Sequence, residues 1–148
     1  MNNKLFIANA LVYDPLTKDK KKKNILINNG IIKDITTKVT IPQGYLKIDC
    51  SEMIVTTGFV DIRSHFKDPG NNYEETLYSG SAAAVAGGYT KVCIMPDTNP
   101  IIDNGEIVDY INSLSEMIPI DIFTIGAATK QLKGQELSEI GLMHKNGI

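Results

Sequence analysis

The sequence predicts an α/β protein in two parts: a small antiparallel β unit over residues 1–57, and alternating strands and helices over residues 58–148. Three observations predict this. The first third of the chain is a series of short β-branched runs separated by turn signals. From Gly58 the texture changes to strand and helix in alternation, which argues for a parallel sheet or barrel. The strand at Phe59, Val60 and Ile62 then runs into His65, Lys67 and Asp68, closed by the turn pair Pro69-Gly70. Parallel-barrel enzymes gather their chemistry at such strand ends.

In the first part, strands are expected at Leu5-Phe6-Ile7, Ala10 to Tyr13, Asn24 to Ile27, Ile31-Ile32, Leu46-Lys47-Ile48 and Met53-Ile54-Val55. Asn28-Asn29-Gly30 reads as a tight hairpin turn, because Asn and Gly tolerate positive φ. The charge run Lys18-Asp19-Lys20-Lys21-Lys22-Lys23 follows the turn signal Asp14-Pro15. It lacks interleaved aromatics, and its self-repulsion suits a solvated hairpin tip better than a nucleic-acid contact.

In the second part, Phe59, Val60 and Ile62 are expected to form a short buried strand. Glu74-Glu75-Thr76 places acids where a helix N-terminus favours them, and Ser79 to Ala86 continues as a helix of small residues that can lie close to a strand layer. Gly87-Gly88 ends it. A strand follows from Tyr89 to Met95, then the loop Pro96 to Pro100, and then a helix over roughly 105–117. Its stripe of Ile107, Tyr110, Ile111 and Leu114 reads as core, with Glu106, Asp109, Asn112 and Glu116 on other faces. A strand over 120–125 and a helix over roughly 135–145 complete the pattern. Asn146-Gly147-Ile148 reads as a helix stop and the first residue of another strand, so the chain is expected to end in mid-fold.

With 148 residues, 43% hydrophobic and 22% charged, the chain is long enough to bury a core, which excludes disordered and fibrous classes. It is shorter than the roughly 250 residues of a complete eight-stranded barrel. A formal net charge of −2 gives no electrostatic reason to expect nucleic acid or an anionic membrane as partner. Cys50 and Cys93 each sit in an apolar strand-like run and read as interior free thiols. The N-terminus lacks the apolar stretch of a signal peptide, and no run reaches membrane-spanning length, so the expected location is cytoplasmic.

Alternation along the first barrel-type strand puts positions 63 and 65 on the same side, where two ligands could converge on one ion. Gly58-Phe-Val-Asp-Ile-Arg-Ser-His-Phe-Lys-Asp-Pro-Gly70, Met95-Pro96-Asp97-Thr98-Asn99-Pro100, Val55 to Asp61, Ser79-Gly80-Ser81, Ala86 to Thr90 and Ile101 to Asn104 together resemble the N-terminal portion of the dihydroorotase branch of the amidohydrolase superfamily. The resemblance implies a partial (β/α) TIM-type barrel of about the first three β/α units, preceded by the small β domain. It also implies a zinc-dependent cyclic amide hydrolase acting on dihydroorotate and carbamoyl-aspartate in pyrimidine biosynthesis. In that family the strand ends in His-x-His, both zinc ligands, followed by a substrate-binding Arg.

Here the first His is Arg63, His65 is retained as the metal residue, and the Arg is Lys67. Asp97 stands where the family has an Asn that contacts the substrate carboxylate. Arg63 replaces a neutral ligand by a permanent cation, which argues against zinc in this chain. Lys67 keeps charge attraction but loses the two-pronged clamp, and Asp97 repels an anionic ligand. The family's other ligands and its catalytic Asp fall beyond residue 148, so no catalytic residue is assigned here and the chain alone is expected to be inactive.

Two other readings stand beside this one. One is a non-catalytic dihydroorotase-like binding subunit of aspartate transcarbamoylase, and the other a degraded gene product; the open strand edge at 120–125 also favours self-association. At single residues, His65 can equally be a hydrogen-bonded strand-end imidazole, and His144 a solvated helix C-terminal charge. Asp61 and Asp68 would orient loop groups in the family, although Asp68 can also simply cap a turn. Residues 97–100 can be read as an ordinary Asx-rich turn.

Overall fold

The computed structural model describes residues 3–115 and 117–148. Glu116, assigned above to a polar helix face, lies outside the described residues. The chain divides into two compact units, Met1–Thr57 and Gly58–Ile148.

The first unit is a five-stranded sheet: β1 (Lys4–Tyr13), β2 (Lys20–Asn28), β3 (Ile31–Thr36), β4 (Leu46–Asp49) and β5 (Ile54–Val55). Its order is β3-β2-β1-β4, with β5 also paired to β1. Phe6, Ala8 and Ala10 alternate onto the buried face of β1 and pack with Ile25 of β2 and Cys50 in the core. β1 is one long strand where the sequence suggested two, because a bulge between Ile7 and Ala10 absorbs Asn9. Asn9 adopts a φ of 62°, and its backbone N–H donates to Asn24 Oδ1 at 2.7 Å while its amide donates to Asp49 Oδ1 at 3.2 Å. Asn29 and Gly30, both at positive φ, make the β2–β3 turn read from the sequence.

Two expectations for this unit need correction. The sheet is mixed, since β4 and β5 run parallel to β1. The physical reason is connectivity: β3 lies at the far edge, so residues 37–45 must cross back to the open edge of β1, and a crossover delivers the next strand parallel. Most of the lysine run does not form the hairpin tip either, although Lys18 and Asp19 at its start lie in it. Lys20 to Lys23 pair within β2 opposite Tyr13 to Ala10, and the tip is Asp14 to Asp19, closed by the Asp14 N–H donating to the Asp19 carbonyl at 3.0 Å.

The second unit is a βαβαβ chain: β6 (Phe59–Ser64), α1 (Leu77–Ala86), β7 (Tyr89–Ile94), α2 (Gly105–Ser115) and β8 (Asp121–Thr124), followed by α3 (Ile140–Lys145). The strands form a parallel sheet in the order β6-β7-β8. Its core joins Phe66, Leu77, Val92, Ile94, Ile102, Val108, Ile111, Ile120 and Met143. Thr76 caps α1 by accepting from the Ser79 N–H, and Ser79 Oγ returns the bond to the Thr76 N–H, a reciprocal box that places Glu74 and Glu75 before the helix instead of inside it.

Here too the structure corrects the sequence reading. β6 is not buried: Phe59, Val60 and Ile62 are 55%, 52% and 74% exposed, since β6 is an edge strand with a neighbour on one side only. On α2, Val108 occupies the core position assigned to Tyr110, which is 44% exposed. The helix expected over 135–145 begins only at Ile140. Residues 128–138 instead fold back on themselves, with the Lys130 N–H bonded to the Glu136 carbonyl, the Ser138 N–H to the Ala128 carbonyl, and Thr129 bridged to Leu137. Cys50 is buried and Cys93 half-buried, both free thiols. Among the described residues, no helix is long and apolar enough to cross a membrane.

Candidate functional site

At the C-terminal end of β6 the alternation continues past the strand: Ser64, Phe66 and Asp68 are buried, and Arg63, His65 and Lys67 are exposed. Phe66 anchors this segment in the core. Asp68, only 4% exposed, accepts from the Leu77 N–H at 3.0 Å and from the Asn72 amide at 3.0 Å. Leu77 is the first residue of α1, so this carboxylate satisfies a free helix N–H and faces the positive end of the helix dipole. Asp68 is thus a structural cap that ties the site loop to α1.

The neighbouring strand delivers the second loop. Met95 N–H donates to the Ser64 carbonyl at 2.8 Å, so the chain leaves β7 alongside the end of β6. Thr98 Oγ1 donates to the Pro100 carbonyl at 2.7 Å, and Ile102 N–H donates to the Pro96 carbonyl at 3.1 Å, which together fix the turn over 96–102. The two loops dock through the Asn99 N–H and the Pro69 carbonyl, 3.0 Å apart. Gly70 allows this approach: its φ is +117°, and a Cβ there would overlap the Asn99 backbone.

The docked loops bring together two residues singled out from the sequence, His65 and Asp97. His65 Nδ1 lies 2.8 Å from Asp97 Oδ2, and the two side chains are about half exposed, at 48% and 47%. Asp61 stands close behind: its Oδ1 accepts from the Arg63 N–H at 2.9 Å. That bond, then one to the Ser64 hydroxyl, with a smaller pull from His65, holds the Asp61 carboxyl below its usual range. Arg63 and Lys67 project from the same exposed side, and the structure gives neither side chain a bond to His65 or Asp97. A separate cavity of about 270 Å³ is lined by Pro69, Pro100, Glu106, Ile107 and Tyr110, but by none of the four. Burial, then the Asp68 carboxylate, pushes the Tyr110 phenol above its ordinary value.

Sequence reading missed the contact between His65 and Asp97. Its only signal was that the retained His65 and the altered Asp97 fall in loops following adjacent strands. His144 lies exposed in the last turn of α3, away from this cluster in the fold order.

A zinc ion does not fit this donor set. Catalytic zinc takes about three protein ligands and an open position. Here position 63 offers a guanidinium, the single imidazole has one nitrogen engaged by Asp97, and among the described residues no group of three His, Cys, Asp or Glu comes together.

Comparison with known proteins places these features. A family model described as dihydro-orotase-like matches residues 52–148. Proteins named dihydroorotase from Geobacter metallireducens, Caldicellulosiruptor saccharolyticus and Aquifex aeolicus are 38%, 41% and 39% identical over 97% of this chain. The chain spans about a third, 34%, of the length of these relatives. Among solved structures, the L-hydantoinase (dihydropyrimidinase) of Arthrobacter aurescens matches with a TM-score of 0.79 at 20% identity, covering 95% of this chain and 30% of that one. The D-hydantoinase (dihydropyrimidinase) of Thermus sp. matches with a TM-score of 0.68 at 21% identity, covering 95% and 30%. These structures share the α/β fold, and the family match over residues 52–148 shows that the chain belongs to the dihydroorotase-like family.

Proposed function

We propose that this chain carries the N-terminal part of a dihydroorotase-type site, one built to open and close a cyclic amide, in a form altered at Arg63, Lys67 and Asp97. The observation that carries the reading is the identity of about 40% to dihydroorotases along 97% of the chain, loops 65–70 and 96–100 included. The consecutive order β6-β7-β8, each strand followed by its helix, supports a barrel-type arrangement of about three β/α units, with the 1–57 unit as a preceding domain. In this reading Lys67 supplies a point charge for a substrate carboxylate. Asp97 withholds the amide donor that the family offers there, and His65 is the one retained metal-type residue.

Because the donor set does not fit zinc, no step is routed through a metal, and residues 1–148 by themselves are inactive towards dihydroorotate and carbamoyl-aspartate. The same misfit favours a second reading, a non-catalytic dihydroorotase-like subunit that binds a transcarbamoylase in the cytoplasm. Purified chain assayed in both directions separates activity from inactivity: we expect no carbamoyl-aspartate cyclisation or dihydroorotate hydrolysis above buffer. Turnover that a chelator abolishes would overturn the inactivity. Fixed-stoichiometry co-purification with aspartate transcarbamoylase would favour the second reading.

A further inference from the structure

We infer that Asp97 is a positioning residue for His65: it holds the imidazole in the tautomer protonated at Nδ1 and leaves Nε2 as the basic nitrogen at the end of β6. A carboxylate can only accept a hydrogen bond, so across the 2.8 Å contact the donor is Nδ1 and the ring proton is fixed there. In the neutral ring the lone pair then belongs to Nε2, to which no described residue donates.

Two features make the contact a built one. Phe66, buried in the core next in sequence, fixes the backbone that carries His65. The bond between Asn99 and Pro69, with Gly70 beneath it, holds the Asp97 loop against the His65 loop. The pair therefore joins two strand ends, its partners 32 positions apart in sequence. A carboxylate behind an imidazole fixes the tautomer and orientation of the ring. Asp97, which in the family pattern would be an amide facing substrate, is here turned to the service of His65. This inference goes beyond the proposed activity, because it concerns the state of one ring in the folded chain and holds whether or not the chain turns anything over.

The test is the nitrogen-15 spectrum of the imidazole side chains in the intact chain, recorded at alkaline pH where the rings are neutral. The two histidines are told apart by His144→Gln. The expected result is a His65 signal of the Nδ1–H form in the unmodified chain and a shift of about tenfold or more towards the Nε2–H form in Asp97→Ala. Asp97→Asn, whose carbonyl can still accept from Nδ1, should restore the Nδ1–H form. Asp109→Ala, which removes an exposed carboxylate on α2, should leave His65 unchanged. A His65 ring already in the Nε2–H form in the unmodified chain would overturn the inference. So would an Asp97→Ala ring that keeps the Nδ1–H form while the backbone spectrum of β7 stays native.

Discussion

Asp68 shows how one side chain in the candidate site can serve the fold instead of the chemistry. It is nearly fully buried, and both carboxylate oxygens are used, one on the Leu77 N–H and one on the Asn72 amide. Removing the acceptor strands a buried helix N–H, which costs about 1–3 kcal/mol. We therefore expect Asp68→Ala to lower the unfolding free energy of the chain, read from urea midpoints, by about 1–3 kcal/mol, with Asp68→Asn losing less because it can still accept. Asp49 is a residue-scale case with a pH signature. The Ser51 hydroxyl, then the Asn9 amide and the Ser51 N–H, hold its carboxyl down to about 2 from the ordinary 3.8. A depressed folded-state value means that its contribution is present above about 3.8 and fades as the pH falls towards 2. Urea midpoints of the chain should thus drop across that window more steeply than those of Asp49→Asn. Parallel curves would show that the Asp49 cluster does not act on stability.

At the scale of elements, the candidate site depends on two loops meeting, and Gly70 is where they meet. An alanine there would have to adopt a φ of +117° and overlap the Asn99 backbone. Gly70→Ala should cost about 1–3 kcal/mol and separate His65 from Asp97, which the His65 nitrogen-15 signal would report. An unchanged signal would mean that the contact does not depend on this docking.

Element existence was legible from sequence wherever local chemistry decides it, as in the Asn29-Gly30 turn, the small-residue helix through Ser79 to Ala86, and the strands at 89–95 and 120–125. It was not legible where pairing decides it. The parallel placement of β4 and β5 depends on which sheet edge is free, and nothing in residues 46–55 encodes that locally. The hairpin-like excursion over 128–138 took the first residues of the expected 135–145 helix, because carbonyls of Ala128 and Glu136 found strand-type partners within the same segment. At the site, positions 63 and 65 were singled out by strand alternation, and 67 and 97 by resemblance to the family. The bond between His65 and Asp97 was not legible, because it needs the register of β6 against β7.

At the scale of the whole molecule, the chain matches about a third of the length of its dihydroorotase relatives, and the match runs through both of its units. Family membership rests on the family match over residues 52–148. In the reading proposed above, function rests on a few positions where the chain departs from the family pattern: a guanidinium at 63, an ammonium at 67 and a carboxylate at 97. The central claim is that these departures alter a dihydroorotase-type site.

The most direct measurement is the carbamoyl-aspartate cyclisation rate of a chimera in which residues 1–148 replace the matching third of the Geobacter metallireducens dihydroorotase. We expect the folded chimera to fall at least about 100-fold below the parent, and Arg63→His with Lys67→Arg and Asp97→Asn to recover most of the loss. A chimera that runs at the parental rate without those changes, or a folded triple variant that stays inactive, would contradict the claim.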